Sequence, residues 1–441
     1  MGPTVDGVPS HDRLPEKADV VIVGGGIIGA STALFLARQG VSTVLCEKGQ
    51  VASEQSSRNW GWCRRMGRDE RELPLIMESL RLWDRMDDLV GGDVGFRRSG
   101  IVYLCDNEAE VAQHEAWLRR AGAYGLDSRI IRGTELQALL PGASRPIHAA
   151  LHTPSDGRAE PQKAAPAIAR AAIRAGATLL GNCAVRAVEK QGGRVSAVVT
   201  EKGVVRCSTV VIAGGAWSGL LCRSMGVRLP QLLVRSSVMR TGPVEGGPEV
   251  AAAGAHFAFR KRQDGGYTVA GGGHRHDIVP DSFRYFADYL PILRLEWREL
   301  GLGFGTEFFE ALRQGRQWKL DEPSPFEATR TLDPSPIYKH SAKALAALRQ
   351  AFPVFRDVPV IQRWAGMIDA MPDAIPVISS VQSVPGLVLA TGFSGHGFGL
   401  GPAAGRLTAD IVRGDTPIVD PAPFRYERFI DGTRAAPTTG V

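Results

Sequence analysis

The chain has 441 residues, of which 44% are apolar and 22% are charged, a balance typical of soluble globular proteins. The formal net charge of +6 is small for this length and no long block of Lys or Arg is present, so the sequence argues against nucleic acid as a partner. The length is sufficient for two hydrophobic cores, or for one large domain that carries a second.

The beginning of the chain lacks a targeting or membrane signal. Residues 1–17 are polar, contain three prolines and have no apolar core like that of a signal peptide, so we expect a flexible tail. The most apolar stretch, residues 20–37, contains four glycines. It therefore predicts a strand followed by a helix, and we expect no transmembrane segment.

Residues 18–46 predict one βαβ unit. The β-branched run 18–23 is typical of a buried parallel strand. Residues 27–39 have the composition of a helix that ends at Gly40, and residues 41–46 are apolar again.

The turn of this unit carries a dinucleotide fingerprint. In the pattern G-x-G-x-x-G, Gly24 permits the tight turn, Gly26 lets the backbone approach a pyrophosphate, and Gly29 lets helix and strand pack closely. Glu47 ends the second strand, where its carboxylate can accept hydrogen bonds from ribose hydroxyls. This acidic residue disfavours NADP, whereas NAD and FAD both remain open on these residues alone.

The rest of the chain alternates between helical and extended patterns. Helices are predicted over 71–89, 107–122, 133–140, 161–175 and 399–413, and strands over 96–104, 177–180, 184–190, 195–200, 203–212, 235–240, 256–260, 266–270 and 387–391. Residues 281–317 have a mostly helical pattern and are predicted to form an arm over the site.

The order of these elements predicts a split α/β architecture. The βαβ unit at the start and the strand–helix pair at the end flank a strand-rich middle. We therefore expect a Rossmann-like dinucleotide-binding domain assembled from the discontinuous segments 18–95, 150–230 and 355–441. The segments 96–149 and 231–354 are expected to form a second, α+β substrate domain on a mainly antiparallel sheet.

The cysteines do not show the spacing of a zinc or dithiol site. They are Cys46, Cys63, Cys105, Cys183, Cys207 and Cys222. A chain of this length does not need disulfides for stability, so we expect reduced thiols, no bound metal and a cytoplasmic location.

Five segments in this order resemble the D-amino-acid oxidase-like FAD oxidoreductases, a group that includes glycine oxidase, monomeric sarcosine oxidase and D-amino-acid dehydrogenase. They are the fingerprint with Glu47-Lys48, the loop 52–61, the segment 156–161, the strand and turn 210–217, and the stretch 364–398. The resemblance spans nearly the whole chain, roughly residues 18–413. The resemblance implies FAD rather than NAD, and hence an FAD-binding domain around the βαβ unit.

The same resemblance implies a set of FAD contacts. They are Gly24, Gly26, Ile27, Ile28, Gly29, Glu47, Lys48, Ser56, Ser57, Arg58, Asn59, Gly61, Val185, Ala213, Gly214, Trp217, Gly366, Gly395, His396, Gly397 and Phe398. The glycine-rich turn before the last helix lets backbone N–H groups face a ligand, and the helix N-terminus favours the negative charge of a reduced flavin. Cys63 lies near the flavin loop without a recognisable linking motif, so we expect non-covalent FAD.

The implied function is oxidation of a small amine or amino acid, of the secondary amine, N-methyl or D-amino acid type, by hydride transfer to flavin N5. Oxygen or another electron acceptor reoxidises the flavin. Sarcosine-oxidase-like members carry a lysine that promotes the oxygen reaction, but residues 266–270 contain none, although Lys261 is nearby. The alternatives are a 2-hydroxy-acid oxidoreductase and a flavin-binding subunit of a multi-subunit dehydrogenase; the oligomeric state is open.

Several residues are candidates for substrate contacts. His396 lies in the flavin turn and is expected to contact the flavin or the substrate, the alternative being a capping histidine. Arg64 and Arg65 could bind a substrate carboxylate bidentately, or could be surface charges. The candidate walls of a substrate cavity are Trp60, Trp62 and Trp364, whose faces suit cations and apolar groups.

One position departs from the family pattern. Glycine-oxidase-like members carry a carboxylate-binding arginine two residues beyond the position of Gly366, and Ile368 occupies that place here. A simple glycine-like substrate is therefore in doubt. Asp369 is a candidate partner for a cationic amine, or alternatively a loop or cap aspartate.

Overall fold

The computed structural model describes residues 1–271, 273–296, 300–314 and 317–438. Within them the strands, in chain order, are β1 (Val20–Val23), β2 (Thr43–Cys46), β3 (Trp62–Cys63), β4 (Arg97–Arg98), β5 (Ile101–Cys105), β6 (Arg129–Ile131), β7 (Ala149–Thr153), β8 (Gly157–Arg158), β9 (Thr178–Leu180), β10 (Val185–Gln191), β11 (Arg194–Thr200), β12 (Gly203–Arg206), β13 (Thr209–Ile212), β14 (Leu232–Thr241), β15 (Ala251–Ala253), β16 (Ala258–Lys261), β17 (Tyr267–Ala270), β18 (His274–Asp277), β19 (Leu300–Gly303), β20 (Val360–Ala370), β21 (Val377–Ser380) and β22 (Leu387–Thr391).

The helices of the same residues are α1 (Ile27–Arg38), α2 (Gln55–Arg58), α3 (Leu73–Asp84), α4 (Met86–Val90), α5 (Glu108–Ala121), α6 (Gly133–Leu139), α7 (Pro161–Arg174), α8 (Ser218–Ser224), α9 (Pro280–Arg284), α10 (Phe286–Glu296), α11 (Thr306–Gln314), α12 (Pro325–Ala328), α13 (Tyr338–Ala351) and α14 (Gly397–Arg413).

A six-stranded sheet forms the centre of the first domain, in the order β21-β22-β13-β1-β2-β9. The strands from β22 to β9 are parallel, and β21 pairs antiparallel with β22. The central strands are short β-branched and apolar runs that are covered on both faces, as expected for a parallel sheet. The predicted Rossmann-like α/β fold is therefore confirmed.

Alternate residues of β1 separate the two faces of this sheet. Val20 and Ile22 join the core formed with α1, α7 and α14, whereas Val21 joins the core shared with the small antiparallel sheet β10-β11-β12. The result is three layers: helices, a parallel sheet and a smaller antiparallel sheet.

The second domain is built on a sheet of ten strands, mostly antiparallel, as predicted. Its longest pairing joins β14 to β20, from Leu232 opposite Ala370 to Thr241 opposite Val360. Helix α13 covers one face of the sheet over an apolar core that includes Phe259.

Two predicted domain boundaries differ from the structure. Strand β20 (Val360–Ala370) lies in the ten-stranded sheet, although residues 355–441 were predicted to belong to the FAD-binding domain. Strand β7 (Ala149–Thr153) also pairs within the ten-stranded sheet, between β5 and β6. Gly366 interrupts the apolar pattern of β20. The extended conformation of β20 therefore depends on the long pairing of this strand with β14.

Three predicted elements are divided in the structure. The predicted strand 203–212 consists of β12 and β13, which belong to different sheets. The predicted helix 71–89 is broken into α3 and α4 at Arg85. The predicted strand 96–104 is interrupted before β5 by Gly100, whose φ of +72° is not a strand conformation.

The predicted arm at 281–317 contains α9, α10, β19 and α11, and residues 297–299 and 315–316 lie outside the described residues. Strand β19 pairs parallel with β18. The Tyr289 hydroxyl donates to the carbonyl of Ala370 at 2.5 Å, which fixes α10 beside the end of β20.

Residues 1–17 form no helix or strand of their own, but they lie against the first domain rather than extending as a free tail. The amide of Asp6 donates to the carbonyl of Gln162 at 3.0 Å, and the amide of His11 donates to that of Leu179 at 2.8 Å. These contacts satisfy backbone groups that a free tail would leave to water.

All six cysteines lie in described parts of the chain and are buried, with no disulfide between them. No described helix combines the length and apolar character needed to cross a lipid bilayer.

Trp83 connects α3 to the N-terminal turn of α14, and this contact gives a test of the fold. Its indole Nε1 donates to the carbonyl of Gly399 at 2.9 Å, and its ring is 5.3 Å from that of Phe398. Trp83→Phe should lower the free energy of unfolding by about 1–3 kcal/mol, because it removes a buried hydrogen bond and leaves a gap. Thermal and urea unfolding measure the loss.

The matched control is Tyr338→Phe, which removes a hydroxyl from a ring that is 65% exposed. Its stability should equal that of the wild type. Equal stability of the Trp83 variant would contradict this packing of α3 on α14.

Candidate active site

A cavity of about 320 Å³ is lined by the segments that follow β1, β2 and β13 and by residues of β14, β18 and β20. The carboxyl ends of the parallel strands meet at one edge of the sheet, where α/β proteins bind ligands. None of the described residues of the 281–317 arm lines the cavity, so the prediction that the arm covers the site is wrong.

The β1–α1 turn is too tightly packed for side chains at two of its glycines. Gly24 has a φ of +108°, and a Cβ there would lie 2.5 Å from the carbonyl oxygen of Ala213. A Cβ on Gly29 would collide with the carbonyl oxygen of Gly24. Gly24 lines the cavity, whereas Gly29 does not and serves the packing of α1 on β1.

The N-terminus of α1 is suited to an anion. The first turn has no acidic residue and no side-chain cap, and Ile27 and Ile28 line the cavity. Ser56 is placed beside the turn by a hydrogen bond that its hydroxyl accepts from the amide of Ile27 at 2.8 Å. The helix terminus and the bare glycine turn therefore fit a pyrophosphate.

Glu47 lines the cavity and also fixes the loops around it. Its carboxylate accepts hydrogen bonds from the amides of Gly25, at 2.7 Å, and Gly49, at 2.8 Å. Burial raises the pKa of Glu47, and these two hydrogen bonds oppose the shift. The position at the end of β2 is the one expected for a residue that binds a ribose.

Lys48 lines the cavity, but its ammonium group is already engaged. It donates to Glu54 at 2.7 Å and to the carbonyls of Thr329 and Arg330 at 2.8 and 2.9 Å. It also lies 4.4 Å from the centre of the Trp217 ring. Because all three N–H donors have partners, the Lys48 side chain holds the segment 329–330 against the loop, and its predicted contact with FAD stays a prediction.

The loop 52–61 divides its residues between the cavity and the protein interior. Asn59 lines the cavity and accepts a hydrogen bond from the amide of Gly61 at 2.8 Å. The guanidinium of Arg58 donates to Asp333 at 2.6 Å and to the carbonyl of Ala365 at 2.9 Å. Arg58 therefore joins the loop to β20, and Ser57, also predicted as a contact, is buried outside the cavity.

The remaining predicted cofactor residues share one property, since all of them line the cavity. They are Gly26, Gly61, Val185, Ala213, Gly214, Trp217, Gly366, Gly395, His396, Gly397 and Phe398. Like α1, helix α14 begins at the cavity and has no acidic residue in its first turn. The cavity thus has the helix termini and bare backbone that a flavin dinucleotide requires.

Asp369 lines the cavity, and its carboxylate already has a backbone partner. One carboxylate oxygen accepts a hydrogen bond from the amide of Gly392 at 2.8 Å. Burial raises the pKa of Asp369 to about 6, and the hydrogen bond from Gly392 opposes this shift. Asp369 therefore helps to hold the turn before α14, and its contact with a substrate amine stays a prediction.

Two candidate substrate residues lie outside the cavity. Arg65 is bonded to the fully buried carboxylate of Asp156, to which its amide donates at 2.9 Å. Trp364 is 1% exposed, and its Nε1 donates to the carbonyl of Arg58 at 2.9 Å, so it is a core residue. In both cases a segment distant in the sequence supplies the hydrogen-bond acceptor, so neither side chain lines the cavity.

Two minor candidates also lie outside the cavity. Burial raises the pKa of the Cys63 thiol well above its usual range, which disfavours a thiolate able to attach FAD. Lys261 donates to Glu249.

Six of the lining residues form what we call the aromatic–arginine cluster: Trp60, Trp62, Arg64, Arg68, Tyr103 and His396. The rings of Trp60 and Trp62 lie 5.3 Å apart, and those of Trp62 and Tyr103 lie 6.2 Å apart. The guanidinium of Arg64 lies 5.7 Å from the Tyr103 ring.

Arg68 and Tyr103 were missed as site residues. Arg68 is 3% exposed, and among the described residues its Nη1 has no hydrogen-bond partner. Burial, and then the charge of Arg64, lower the pKa of Arg68 to about 9, so it remains a cation at neutral pH. Arg64 and Arg68 are only four residues apart, and this short spacing could have suggested that both contribute to one site.

His396 is paired with a second residue that the sequence did not single out. Its Nδ1 lies 3.0 Å from a carboxylate oxygen of Glu72, which is fully buried and is not a lining residue. Burial, and then the charge of Arg68, lower the pKa of His396 to about 4, whereas Glu72 raises it. The direction of this shift favours the neutral imidazole.

Residues 19–411 match the family described as DAO, FAD dependent oxidoreductase. Among curated proteins, the chain is 25% identical to sarcosine oxidase subunit beta from Arthrobacter sp over 442 residues, which cover 97% of this chain and 96% of that protein. It is also 25% identical to mitochondrial dimethylglycine dehydrogenase from Mus musculus, over 94% of this chain but only 45% of that protein. The chain thus spans about half of the latter relative.

Solved structures give a closer similarity. L-Amino acid deaminase from Proteus myxofaciens, in complex with anthranilate, is 36% identical with a TM-score of 0.91, over 97% of this chain and 96% of that chain. Glycine oxidase from Geobacillus kaustophilus has a TM-score of 0.74 at 20% identity, over 93% and 98% of the two chains, and that likeness concerns the fold.

A substitution in the β1–α1 glycine turn tests whether this turn binds the cofactor. Gly26→Val should abolish FAD binding, because a Cβ there lies only 3.1 Å from the Ser56 hydroxyl and extends into the place of the pyrophosphate. The measurement is the visible flavin absorbance of the purified protein relative to its protein absorbance. Gly92→Val is the control, since a Cβ at Gly92 meets nothing within 4 Å.

Acid precipitation of the wild type should release the yellow chromophore into the supernatant. Colour that stays in the pellet would contradict non-covalent binding. Full flavin content in the Gly26 variant would contradict the assignment of the turn.

Proposed function

The chain belongs to the DAO family of FAD-dependent oxidoreductases, and we propose that it oxidises an α-amino acid whose carboxylate is held by Arg64 and Arg68. FAD is its cofactor, and its substrates are amines or amino acids. The proposal concerns the kind of amino acid and the residues that bind it.

The unsatisfied Nη1 of Arg68 is the observation that carries this proposal. Arg68 is buried and lines the cavity, its Nη1 has no hydrogen-bond partner among the described residues, and the carboxylate of Glu72 lies 3.9 Å from it, beyond hydrogen-bonding distance. A carboxylate supplies planar acceptors that match a guanidinium, and Arg64 adds a second positive charge beside it. An α-carboxylate therefore complements the cluster.

The aromatic members of the cluster favour an apolar or aromatic side chain on the substrate. The faces of Trp60, Trp62 and Tyr103 provide flat apolar surface next to the two arginines. The Proteus myxofaciens deaminase binds anthranilate, which is an aromatic carboxylate. That relative is named for L-amino acids, and we propose the L series rather than the D series for this chain.

The chain's own residues would position the two reactants. The β1–α1 turn, Glu47 and the N-terminus of α14 would hold FAD, while Arg64 and Arg68 orient the amino acid. When bound, FAD accepts the hydride that leaves the substrate Cα. The cluster supplies orientation, and its apolar walls exclude water from the reacting atoms.

A second candidate function is suggested by one comparison. The chain covers nearly the whole of sarcosine oxidase subunit beta, a protein named as part of a larger assembly. In this alternative the chain binds FAD and substrate but passes electrons on only with partner subunits. A 2-hydroxy acid, by contrast, has no specific support from the comparisons or the site.

Replacing Arg68 tests the proposed substrate anchor. Arg68→Met should raise the amino-acid concentration that half-saturates anaerobic flavin bleaching by about 10- to 150-fold, the loss expected for one charged hydrogen-bonding contact. Arg68→Lys should lie between this variant and the wild type, because a lysine retains the charge but not the planar fork. FAD content should be unchanged in both variants.

Arg65→Lys is the matched control, and its saturation curve should be that of the wild type, because Arg65 is paired with Asp156 outside the cavity. Unchanged saturation in the Arg68 variants would refute the anchor. The assay should include L- and D-amino acids, N-methyl amino acids and 2-hydroxy acids.

The purified chain alone should bleach its flavin anaerobically with an L-amino acid, since both reactants are bound by this chain. Bleaching that appears only after partner subunits are added would instead support the second candidate function.

A further inference from the structure

His396 and Glu72 form a buried carboxylate–imidazole pair at the wall of the cavity. Glu72 directly precedes helix α3 and His396 directly precedes helix α14, so both helices begin at this pair. The carboxylate of Glu72 is fully buried, and His396 is 5% exposed. The imidazole lines the cavity, whereas Glu72 does not, so the carboxylate acts on the site through the ring.

The pairing determines which ring nitrogen carries the proton. A carboxylate oxygen of Glu72 lies 3.0 Å from Nδ1 of His396, and as an acceptor it favours the tautomer of a neutral imidazole whose proton is on Nδ1. Nε2 then carries a lone pair. The described residues offer Nε2 no hydrogen-bond partner, which leaves it for a ligand in the cavity.

An amino-acid substrate brings a group that needs such an acceptor. At neutral pH its nitrogen is an ammonium, and without a lone pair it cannot form the C=N bond that accompanies hydride loss. Lys48 and Asp369 also line the cavity, but the Lys48 side chain already donates to three acceptors and the Asp369 carboxylate accepts the amide of Gly392. His274 also lines the cavity, but it faces the charge of His340 rather than a carboxylate.

We propose that His396 accepts a proton from the substrate ammonium through Nε2, and that Glu72 is the positioning residue that fixes its tautomer and stabilises the imidazolium. One N–H bond of the substrate breaks and one Nε2–H bond forms. The electron pair left on the substrate nitrogen then forms the C=N bond as the Cα hydride leaves. This inference rests on the proposed amino-acid function.

The charges around the pair are consistent with proton uptake only when substrate is present. Before binding, Arg64 and Arg68 oppose a positive charge on His396, and Glu72 is the group that favours it. A carboxylate bound to the arginines offsets their charge. Bound substrate therefore makes the imidazolium more favourable at the moment when a proton is available.

The tautomer is the first test, and it needs no substrate. In FAD-loaded protein labelled with ¹⁵N-histidine, the signals of His396 are those lost in His396→Asn. We expect Nδ1 to be protonated and Nε2 unprotonated at pH 7, and we expect Glu72→Gln to give a mixture, because an amide can either donate or accept. A proton on Nε2 in the wild type would overturn the positioning role.

The pH profile of anaerobic flavin bleaching is the second test. For the wild type, kcat/KM should be flat across neutral pH and fall only as His396 is protonated, at about pH 4 in the free protein. In His396→Asn only the minor deprotonated amine reacts, so kcat/KM should rise about tenfold per pH unit towards the pKa of the amine. Glu72→Asp should restore part of the rate lost in Glu72→Gln.

Glu78→Gln is the matched control for Glu72→Gln, because Glu78 lies on the same helix outside the cavity and pairs with Arg81. Its pH profile should be that of the wild type. A flat profile in His396→Asn with full FAD content would overturn the proton transfer. If no amino acid bleaches the wild type, the proposed function fails, while the tautomer measurement still tests the pair.

Discussion

The site depends on close contacts between backbone segments at the β1–α1 turn. Gly24 faces the carbonyl of Ala213, Gly29 faces the carbonyl of Gly24, and neither position has room for a side chain. This contact brings the N-terminus of α1 to the edge of the parallel sheet. Glu47 and Ser56 then fix the neighbouring loops through hydrogen bonds to the same turn.

A different constraint, the balance of buried charge, governs the aromatic–arginine cluster. Two arginines, Arg64 and Arg68, lie near the carboxylate of Glu72, which Arg68 approaches at 3.9 Å. Glu72 also holds His396, so this carboxylate serves both an arginine and an imidazole. On the proposed function, the carboxylate of the substrate balances the positive charge of the two arginines.

The sequence predicted the nucleotide part of the site better than the substrate part, for a physical reason. Gly24, Gly26, Gly29 and Glu47 lie within one βαβ unit, where residue spacing determines geometry. The roles of the neighbouring arginines instead depend on distant segments, because Asp156 binds Arg65 and leaves Arg68 to face the cavity.

Contacts with distant segments also explain why some candidate ligand residues have other partners. Lys48 and Trp364 were predicted to contact a ligand, but each donates a hydrogen bond to a backbone carbonyl, 281 and 306 residues away in the sequence, respectively. The pairing of Glu72 with His396 spans 324 residues and leaves no local pattern in the chain. The antiparallel sheet of the second domain was predicted, but the strand β20 was not. The extended conformation of β20 depends on pairing with β14 rather than on an alternating pattern in its own sequence.

The central claim is that the carboxylate of an amino acid binds Arg68 within the cavity that holds FAD. The most direct measurement is a crystal structure of the FAD-loaded protein with α-methylphenylalanine, which has a carboxylate and an ammonium but no Cα–H to lose. We expect the carboxylate within hydrogen-bonding distance of Nη1 of Arg68 and the nitrogen facing His396. A carboxylate bound elsewhere in the cavity, with Nη1 of Arg68 still lacking a hydrogen bond, would contradict this binding mode.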